Sequence, residues 1–201
     1  MLERLAKGTA RFFVEQKAAE SEFEEVYAYG AEIVYSTVLN GLIVLLMSVI
    51  TGTFIPTLVF IISFILLRRS AGGFHASTHT KCMLILVAVH LLFVLCVNFL
   101  NIAIVPYFSY FTILYSCISV FLFAPVEHPN KPLKSHEIMK LRGFSISAVM
   151  LLSISIIILN FSKIFDFAFF ISYGVFVSVT GLLIEKVRQR AYASSKKIGQ
   201  E

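Results

Sequence analysis

Residues 82–105 read CMLILVAVHLLFVLCVNFLNIAIV, a stretch without a single Asp, Glu, Lys or Arg. About 20 consecutive, mainly apolar residues are enough for a helix to cross the hydrocarbon core of a bilayer. The rest of the chain has the same character, since 58% of the 201 residues are hydrophobic and 14% are charged. Soluble domains average roughly 45–50% apolar and about 25% charged residues. This composition excludes an ordinary soluble enzyme and a disordered chain, and it predicts an integral membrane protein.

Charged residues divide the chain into six apolar runs, each of which predicts a transmembrane helix. The runs are Ala31–Ile50, Phe54–Leu67, Cys82–Val105, Pro106–Ala124, Phe144–Phe161 and Phe167–Ile184. Phe54–Leu67 is short for a span, so we expect local bilayer thinning, help from the flanking residues or a partly re-entrant path there. The predicted breaks lie at Gly52-Thr53, at Asn101 or Pro106, and at residues 163–166. The fold class that follows is an all-α polytopic membrane protein.

The distribution of Lys and Arg predicts the orientation of these spans. With both termini in the cytoplasm, every Lys and Arg except Lys163 lies on the cytoplasmic side. Such asymmetry is what the positive-inside rule requires of a cell-membrane protein with six spans. Anionic lipid is sufficient to explain the basic surface, so membrane lipid is an expected partner and nucleic acid is not.

The N-terminal region predicts a helix that lies on the membrane rather than in it. Apolar residues recur at near-helical spacing over residues 1–30, with charged residues between them. This pattern is typical of an interfacial amphipathic helix. Ser21-Glu22-Phe23-Glu24 resembles a capping box, which predicts a second helix starting there. We expect one membrane-embedded domain over 1–201, comprising the interfacial region 1–30, the bundle 31–184 and a cytoplasmic tail 185–201.

Cys82 is the candidate nucleophile among three cysteines. Cys96 and Cys117 lie within predicted spans, where a free cysteine is usually a small packing residue. Cys82 instead starts a span and follows Lys81. The positive end of a helix dipole and a neighbouring cation both favour a thiolate. A histidine close to it would complete a cysteine nucleophile with an adjacent base.

Two histidines, His75 and His79, compete for the role of base. On one straight helix His75 would lie about 10.5 Å from Cys82 along the axis, at ~1.5 Å per residue. His79 is three residues away and would share a helix face with Cys82. However, Gly72-Gly73 permits a left-handed or crowded backbone, through which His75 could fold back towards the thiol. The spacing favours His79, and the glycines leave His75 open.

Other interpretations of this segment are a metal site and a segment without chemistry. His75, His79 and Cys82 follow an i, i+4, i+7 pattern that could contribute three zinc ligands. Arg68 and Arg69 could simply anchor a helix end among lipid headgroups. At the level of the whole chain, a peptide exporter or other small transporter and a non-catalytic scaffold also compete. The spans carry few ionisable groups away from their ends, which argues against an ion-coupled pump.

The segment from Arg68 to Cys82 resembles the accessory gene regulator B (AgrB) peptidases of Gram-positive quorum sensing. The shared pattern is Arg-Arg-x-x-x-Gly-x-His-Ala-x-x-x-x-x-Cys. Further agreement comes from Tyr29-Gly30-Ala31-Glu32, from Ala124-Pro125 and from Asn130-Lys131-Pro132-Leu133. Chain length and hydropathy also agree, so the resemblance extends over essentially the whole chain.

The resemblance implies a cysteine endopeptidase, without a cofactor or metal, that processes an AgrD-like propeptide. Its catalytic residues would be Cys82 and His75, with His79 as a spectator. The enzyme would remove the acidic C-terminal tail of the propeptide through an acyl thioester, and a Cys or Ser of the substrate would then close a thiolactone or lactone ring. The resemblance also implies a homodimer. The expected substrate-binding residues are Arg68, Arg69, Gly72, Gly73 and Lys131.

Glu32 is the expected third catalytic residue. A carboxylate about one residue into an apolar span is expensive to bury, and ionisable residues in such positions are functional candidates. At the cytoplasmic end of the first span, Glu32 would lie at about the depth of His75 and Cys82. From there it could accept a hydrogen bond from the imidazole, as the acid of a catalytic triad does. The alternative is an interfacial Glu that reaches towards the headgroups.

Overall fold

The computed structural model describes residues 2–18, 20–74, 78–126 and 135–198. Within these ranges the chain forms seven α-helices and no β-strand. The helices are α1 (Leu2–Glu15), α2 (Glu24–Ile50), α3 (Phe54–Ala71), α4 (His79–Phe99), α5 (Val105–Phe123), α6 (Ser135–Phe161) and α7 (Phe165–Ile198). Helices α2 to α7 are long and apolar enough to cross a membrane. The prediction of an all-α, multi-pass membrane protein with six spans is confirmed.

The second span is longer than the apolar run predicted. Helix α3 has 18 residues and includes Arg68 and Arg69 in its last turn, which makes it about 27 Å long at ~1.5 Å per residue. Of the three expectations, help from the flanking residues agrees with the structure, because the helix continues through Arg68 and Arg69. Arginine can extend a span in this way because its aliphatic stem lies along apolar surface while its guanidinium reaches polar surroundings.

The breaks between helices lie where the sequence predicted them, and the local geometry explains each. Gly52, between α2 and α3, has φ +68°. Asn101 ends the third span earlier than predicted, because its side chain accepts a hydrogen bond from Ala103 N at 3.0 Å. Helix α4 consequently ends at Phe99 rather than continuing to residue 105. Lys163, with φ +59°, separates α6 from α7.

The chain divides into two compact units. One consists of the described residues within Met1–Gly52 and Ser77–His90, and the other of those within Thr53–Ala76 and Leu91–Glu201. Helix α4 is continuous and contributes its first half to one unit and its second half to the other. The organisation as a single domain stays a prediction.

In the first unit α1 packs along α2. Thr9 Oγ1 and Tyr35 Oη share a hydrogen bond of 2.7 Å, and the small side chains of Ala6 and Ala10 are buried. Other apolar side chains of α1 remain exposed, namely Leu5, Phe12 and Phe13. Such an amphipathic helix suits a membrane interface. The predicted capping box is wrong, because Ser21–Phe23 forms a 3-10 turn and α2 starts at Glu24 without a side-chain cap.

The core of the second unit contains an aromatic cluster between α3, α4 and α7. Phe60 and Phe93 stack with ring centroids 4.9 Å apart, and Tyr173 lies 5.2 Å from Phe93 and 5.5 Å from Phe60. Gly174 lets α7 approach α3 closely, since a Cβ there would lie 2.6 Å from Phe60 O. Small residues commonly allow such close helix contacts within membranes.

Many hydroxyl groups of this unit are bonded within their own helix. Examples are Ser63 to Val59 O, Ser116 to Ile113 O, Ser145 to Leu141 O and Thr180 to Phe176 O. Other hydroxyls connect helices, such as Ser172, which donates to Ser109 Oγ at 3.1 Å, and Thr180, which also shares a hydrogen bond of 3.3 Å with Tyr115 Oη. Hydroxyl groups therefore form bonds both within and between the helices.

Candidate functional site

Two of the predicted site residues, His75 and Lys131, lie outside the described residues. The structure does describe the backbone on both sides of His75, through Phe74 and again from Thr78. It also describes Glu32, Arg68, Arg69, Gly72, Gly73 and Cys82. The described part of the site consists of the segment that leads into His75 and the helix that carries Cys82.

Cys82 lies in the first turn of α4 and is half-buried. The helix starts at His79, just after Thr78, whose hydroxyl Oγ1 accepts a hydrogen bond from Lys81 N at 3.3 Å. Cys82 N–H donates to Thr78 O at 3.1 Å, so the amide of Cys82 is bonded within the helix. Cys82 thus lies one turn inside the helix and remains near the positive end of its dipole, which extends over the first turn.

The straight helix from which the His75 distance was estimated does not form. Thr78 is a bend and α4 begins only at His79, so residues 75–82 are not one helix. Along α4, His79 and Cys82 remain three positions apart, as the spacing argument for His79 requires. The distance estimated on one straight helix therefore does not apply, and the choice between His75 and His79 stays open.

Gly72 and Gly73 form a turn that other residues could not adopt. Gly72 has φ +80° and Gly73 has φ +154°, values that strongly favour glycine. A Cβ on Gly72 would overlap the carbonyl oxygen of Val126, and one on Gly73 would lie 2.5 Å from Arg68 Nη1. The prediction of a left-handed and crowded backbone at these glycines is confirmed.

Hydrogen bonds from three directions hold the backbone around this turn. Val126 N–H donates to Ala71 O, and Phe74 N–H donates to Gly181 O, both at 2.9 Å. The guanidinium of Arg68 donates to Phe74 O. The backbone of residues 71–74 is therefore held against α7 and against the segment after α5 before the chain continues to His75.

Arg68 and Arg69 have different surroundings although they are neighbours. The Arg68 guanidinium bonds Phe74 O and also lies over the Phe64 ring, with Cζ 5.5 Å from the ring centroid. Arg69 is exposed. Arg68 therefore supports the glycine turn, whereas Arg69 is accessible to a substrate or to lipid headgroups. Their assignment to substrate binding stays a prediction.

Glu32 is half-buried on α2, in the first unit. Its charge reaches α1, because the pKa of Lys7 is raised chiefly by the hydrogen bond and charge of Glu3 and to a smaller extent by Glu25 and Glu32. Tyr35, one turn further along α2, bonds Thr9 of α1. Glu32 thus lies near the junction of α1 and α2, and its catalytic role stays a prediction.

Glu185 is a buried acidic residue that the sequence analysis assigned to the tail. Its side chain is 1% exposed, because α7 continues beyond residue 184 and packs into the second unit. Oε1 accepts hydrogen bonds from Arg188 Nη2 at 2.9 Å and from Gln189 Nε2 at 3.4 Å. The argument applied to Glu32, a carboxylate at the end of an apolar run, would have identified Glu185 as well.

His90 is also a buried ionisable residue that was not among the predicted site residues. It lies in the middle of α4 and is fully buried. A sequence signal was present, since His90 is the histidine within the mainly apolar residues 82–105.

Comparison with known proteins assigns the family. The sequence matches the family described as Accessory gene regulator B over residues 6–182. It is 24% identical over 146 residues to "Putative AgrB-like protein 2" of Clostridium perfringens (strain 13 / Type A). It is 23% identical over 146 residues to "Putative AgrB-like protein" of Clostridium perfringens (strain SM101 / Type A).

Each of these matches covers 68% of this chain and 66% of the relative, so the chain spans just under two thirds of the relatives' length. No solved structure matches the chain. The family match covers most of the chain, including the glycine turn and the start of α4, and it agrees with the motif from Arg68 to Cys82. The chain belongs to the accessory gene regulator B family of quorum-sensing proteins.

Proposed function

We propose that this chain is a membrane-integrated cysteine endopeptidase that removes the acidic C-terminal tail of an AgrD-like propeptide and promotes its cyclisation. The observation that carries the proposal is the position of Cys82, a half-buried thiol in the first turn of a membrane helix. The dipole of α4 favours negative charge at that end, as a thiolate nucleophile requires. Family membership supports the same activity.

The first half of the reaction transfers the substrate to the enzyme. The Cys82 thiolate attacks the carbonyl carbon that precedes the acidic tail, forming a C–S bond as the C–N bond breaks. His75, as the imidazolium, gives its proton to the departing amine. The tail leaves with a free amino terminus, and the pheromone segment remains on Cys82 as a thioester.

The second half closes the ring. A Cys thiol or Ser hydroxyl of the substrate gives its proton to His75 and attacks the thioester carbonyl. A new thiolactone or lactone bond forms while the bond to Cys82 breaks, which returns the thiolate. Exclusion of water from the site, at the cytoplasmic end of the span that carries Cys82, would protect the thioester from hydrolysis.

The glycine turn supports the role of His75 in this scheme. Because Ala71, Phe74 and Arg68 are held by hydrogen bonds, the chain enters His75 from a fixed backbone position. A base held in place loses less entropy on reaching the reactive geometry. Glu32 is proposed as the polar group that orients the imidazole.

Basic residues at one end of the second unit support binding of an acidic tail. Arg142 donates to Phe121 O and Arg190 lies over the Phe123 ring, both near the end of α5. Arg68 lies in the last turn of α3 and Arg188 lies over the Phe74 ring. We assign this end to the cytoplasm by the positive-inside rule, with both termini on that side of the cell membrane. Arg69, Lys131 and the glycine turn complete the proposed contacts with the substrate. The proposed assembly is a homodimer in contact with anionic lipid.

The test is cleavage of a synthetic propeptide by the purified full-length protein in proteoliposomes, followed by mass spectrometry. Cys82→Ala should release no tail, whereas Cys96→Ala and Cys117→Ala should release it at the wild-type rate. Both control cysteines lie within the spans. A thioester adduct on Cys82 would support the mechanism directly. Normal tail release by Cys82→Ala would refute the cysteine mechanism. A wild-type protein that releases no tail would make a peptide exporter the better hypothesis.

A further inference from the structure

Glu185 lies buried among groups that hold Phe74, the residue before His75. The side chain is 1% exposed, and burying a carboxylate is costly unless nearby groups compensate its charge. Within the described ranges Oε2 has no hydrogen-bond partner, while Oε1 is bonded to Arg188 and Gln189. A glutamine would have nearly the same volume without the cost of a buried charge. The position therefore calls for an explanation other than packing.

The first link from Glu185 to the site passes through Arg188. The carboxylate holds the Arg188 guanidinium at 2.9 Å, and Arg188 Cζ lies 5.5 Å from the centroid of the Phe74 ring. A guanidinium at this distance from an aromatic face is attracted by the ring quadrupole. Glu185 thereby positions the cation that holds the Phe74 side chain.

The second link is electrostatic and involves Arg68. Arg68 Nη1 lies 3.3 Å from the position that a Cβ would take on Gly181. Gly181 precedes Glu185 by one helical turn, so the two residues share a face of α7. The Arg68 guanidinium therefore lies along the same face of α7, where it donates to Phe74 O while Arg188 lies over the Phe74 ring. These two cations repel each other, and the negative charge of Glu185 reduces that repulsion.

Phe74 is consequently held at three points. Gly181 O binds its N–H, Arg68 binds its carbonyl, and Arg188 lies over its ring. We propose that Glu185 is a positioning residue of the peptidase site, which fixes the backbone that enters His75 by holding Arg188 and balancing the charge of Arg68. This inference rests on the proposed function, since it gives Glu185 a role only if His75 takes part in catalysis.

The experiment compares Glu185→Gln with Asp166→Asn in the full-length protein in proteoliposomes. Asp166 is a matched control because it is an exposed carboxylate in the first turn of the same helix. Glu185→Gln should lower kcat about tenfold and leave KM within about twofold, as expected when an interaction specific to the transition state is lost. Glu185→Asp should recover part of kcat. Asp166→Asn should match the wild type.

Hydrogen exchange gives a readout that does not depend on activity. The amide of Phe74 should exchange at least about threefold faster in Glu185→Gln, because its local opening becomes easier. The same amide should keep its wild-type protection in Asp166→Asn. Wild-type kcat together with wild-type protection in Glu185→Gln would overturn the proposal.

A double-mutant cycle tests the route through Arg188. Arg188→Gln should reproduce the loss in kcat, and the double variant should lose little more than either single variant, because residues in one network are not additive. Fully additive losses would overturn the proposal. If Glu185→Gln does not insert into the membrane, Arg188→Gln alone tests the inference. A wild-type kcat together with wild-type protection of the Phe74 amide in Arg188→Gln would then contradict the inference. Cleavage by Cys82→Ala would refute the proposed function itself, whereas an inactive Cys82→Ala with a fully active Glu185→Gln refutes only the role of Glu185.

Discussion

Replacing Gly72 with alanine tests whether catalysis requires the backbone conformation that Gly72 adopts before His75. Gly72 has φ +80° and ψ −164°, a region essentially limited to glycine, where another residue costs on the order of 1–3 kcal/mol. A Cβ would also overlap the backbone carbonyl of Val126. Moving Val126 would break its 2.9 Å hydrogen bond to Ala71 O, which is worth about 1 kcal/mol net.

These costs together are about 2–4 kcal/mol, which corresponds to a rate loss of about 30- to 900-fold if all of it is expressed in the transition state. The assay is the initial rate of tail release in proteoliposomes at matched amounts of inserted protein. Gly143→Ala is the control, since Gly143 lies in α6 with nothing within 4 Å of its Cβ position. Alanine there favours the helix by about 1 kcal/mol, so its rate should be unchanged. A wild-type rate in Gly72→Ala, with unchanged exchange of the Val126 amide, would refute the reasoning.

Three further predictions concern the base, the third residue and the orientation. His75→Ala should lower the rate by about 10²–10⁴-fold, the usual range for a general acid–base. His79→Ala should lower it much less and chelators should have no effect; an inactive His79→Ala or stoichiometric zinc would contradict the assignment. Glu32→Ala should reduce turnover at least about tenfold. Glu32→Gln should keep a substantial part of the turnover, because a polar group suffices to orient the imidazole. Full activity of Glu32→Ala at matched expression would show that Glu32 is not part of the site. Cysteines introduced at Lys163, just before α7, and at Arg190, in the later part of α7, should be labelled from outside and inside the cell respectively. Labelling of both from one side would contradict six spans.

Hydropathy located the spans because a bilayer imposes a length and a polarity on every helix that crosses it. It was less accurate at the ends, where individual side chains decide. The third span stops at Phe99 because Asn101 bonds Ala103 N, and α3 continues through Arg68 because its guanidinium finds a carbonyl to bind. Neither contact can be derived from hydropathy, which averages over a window of residues.

The candidate site was predictable in part. The glycine pair indicated an unusual turn, because only glycine readily adopts positive φ in a crowded backbone. The function of Arg68 in that turn was not predictable, since its partner Phe74 O becomes available only once α3 has ended. Glu185 was assigned to a tail because a charge after an apolar run normally marks the end of a span. Its burial depends on the packing of α7, which no local pattern encodes.

The hydroxyl groups bonded within their own helix bear on how the chain is inserted into the membrane. Ser63, Ser145 and Thr180 each bond a carbonyl four residues earlier. A helix that enters lipid alone must satisfy its polar groups internally, because the hydrocarbon offers no partners. Each of these spans can therefore leave the insertion machinery with these donors already occupied. Joining the helices afterwards requires no exchange of these bonds, so these hydroxyls do not dictate the order in which the helices assemble.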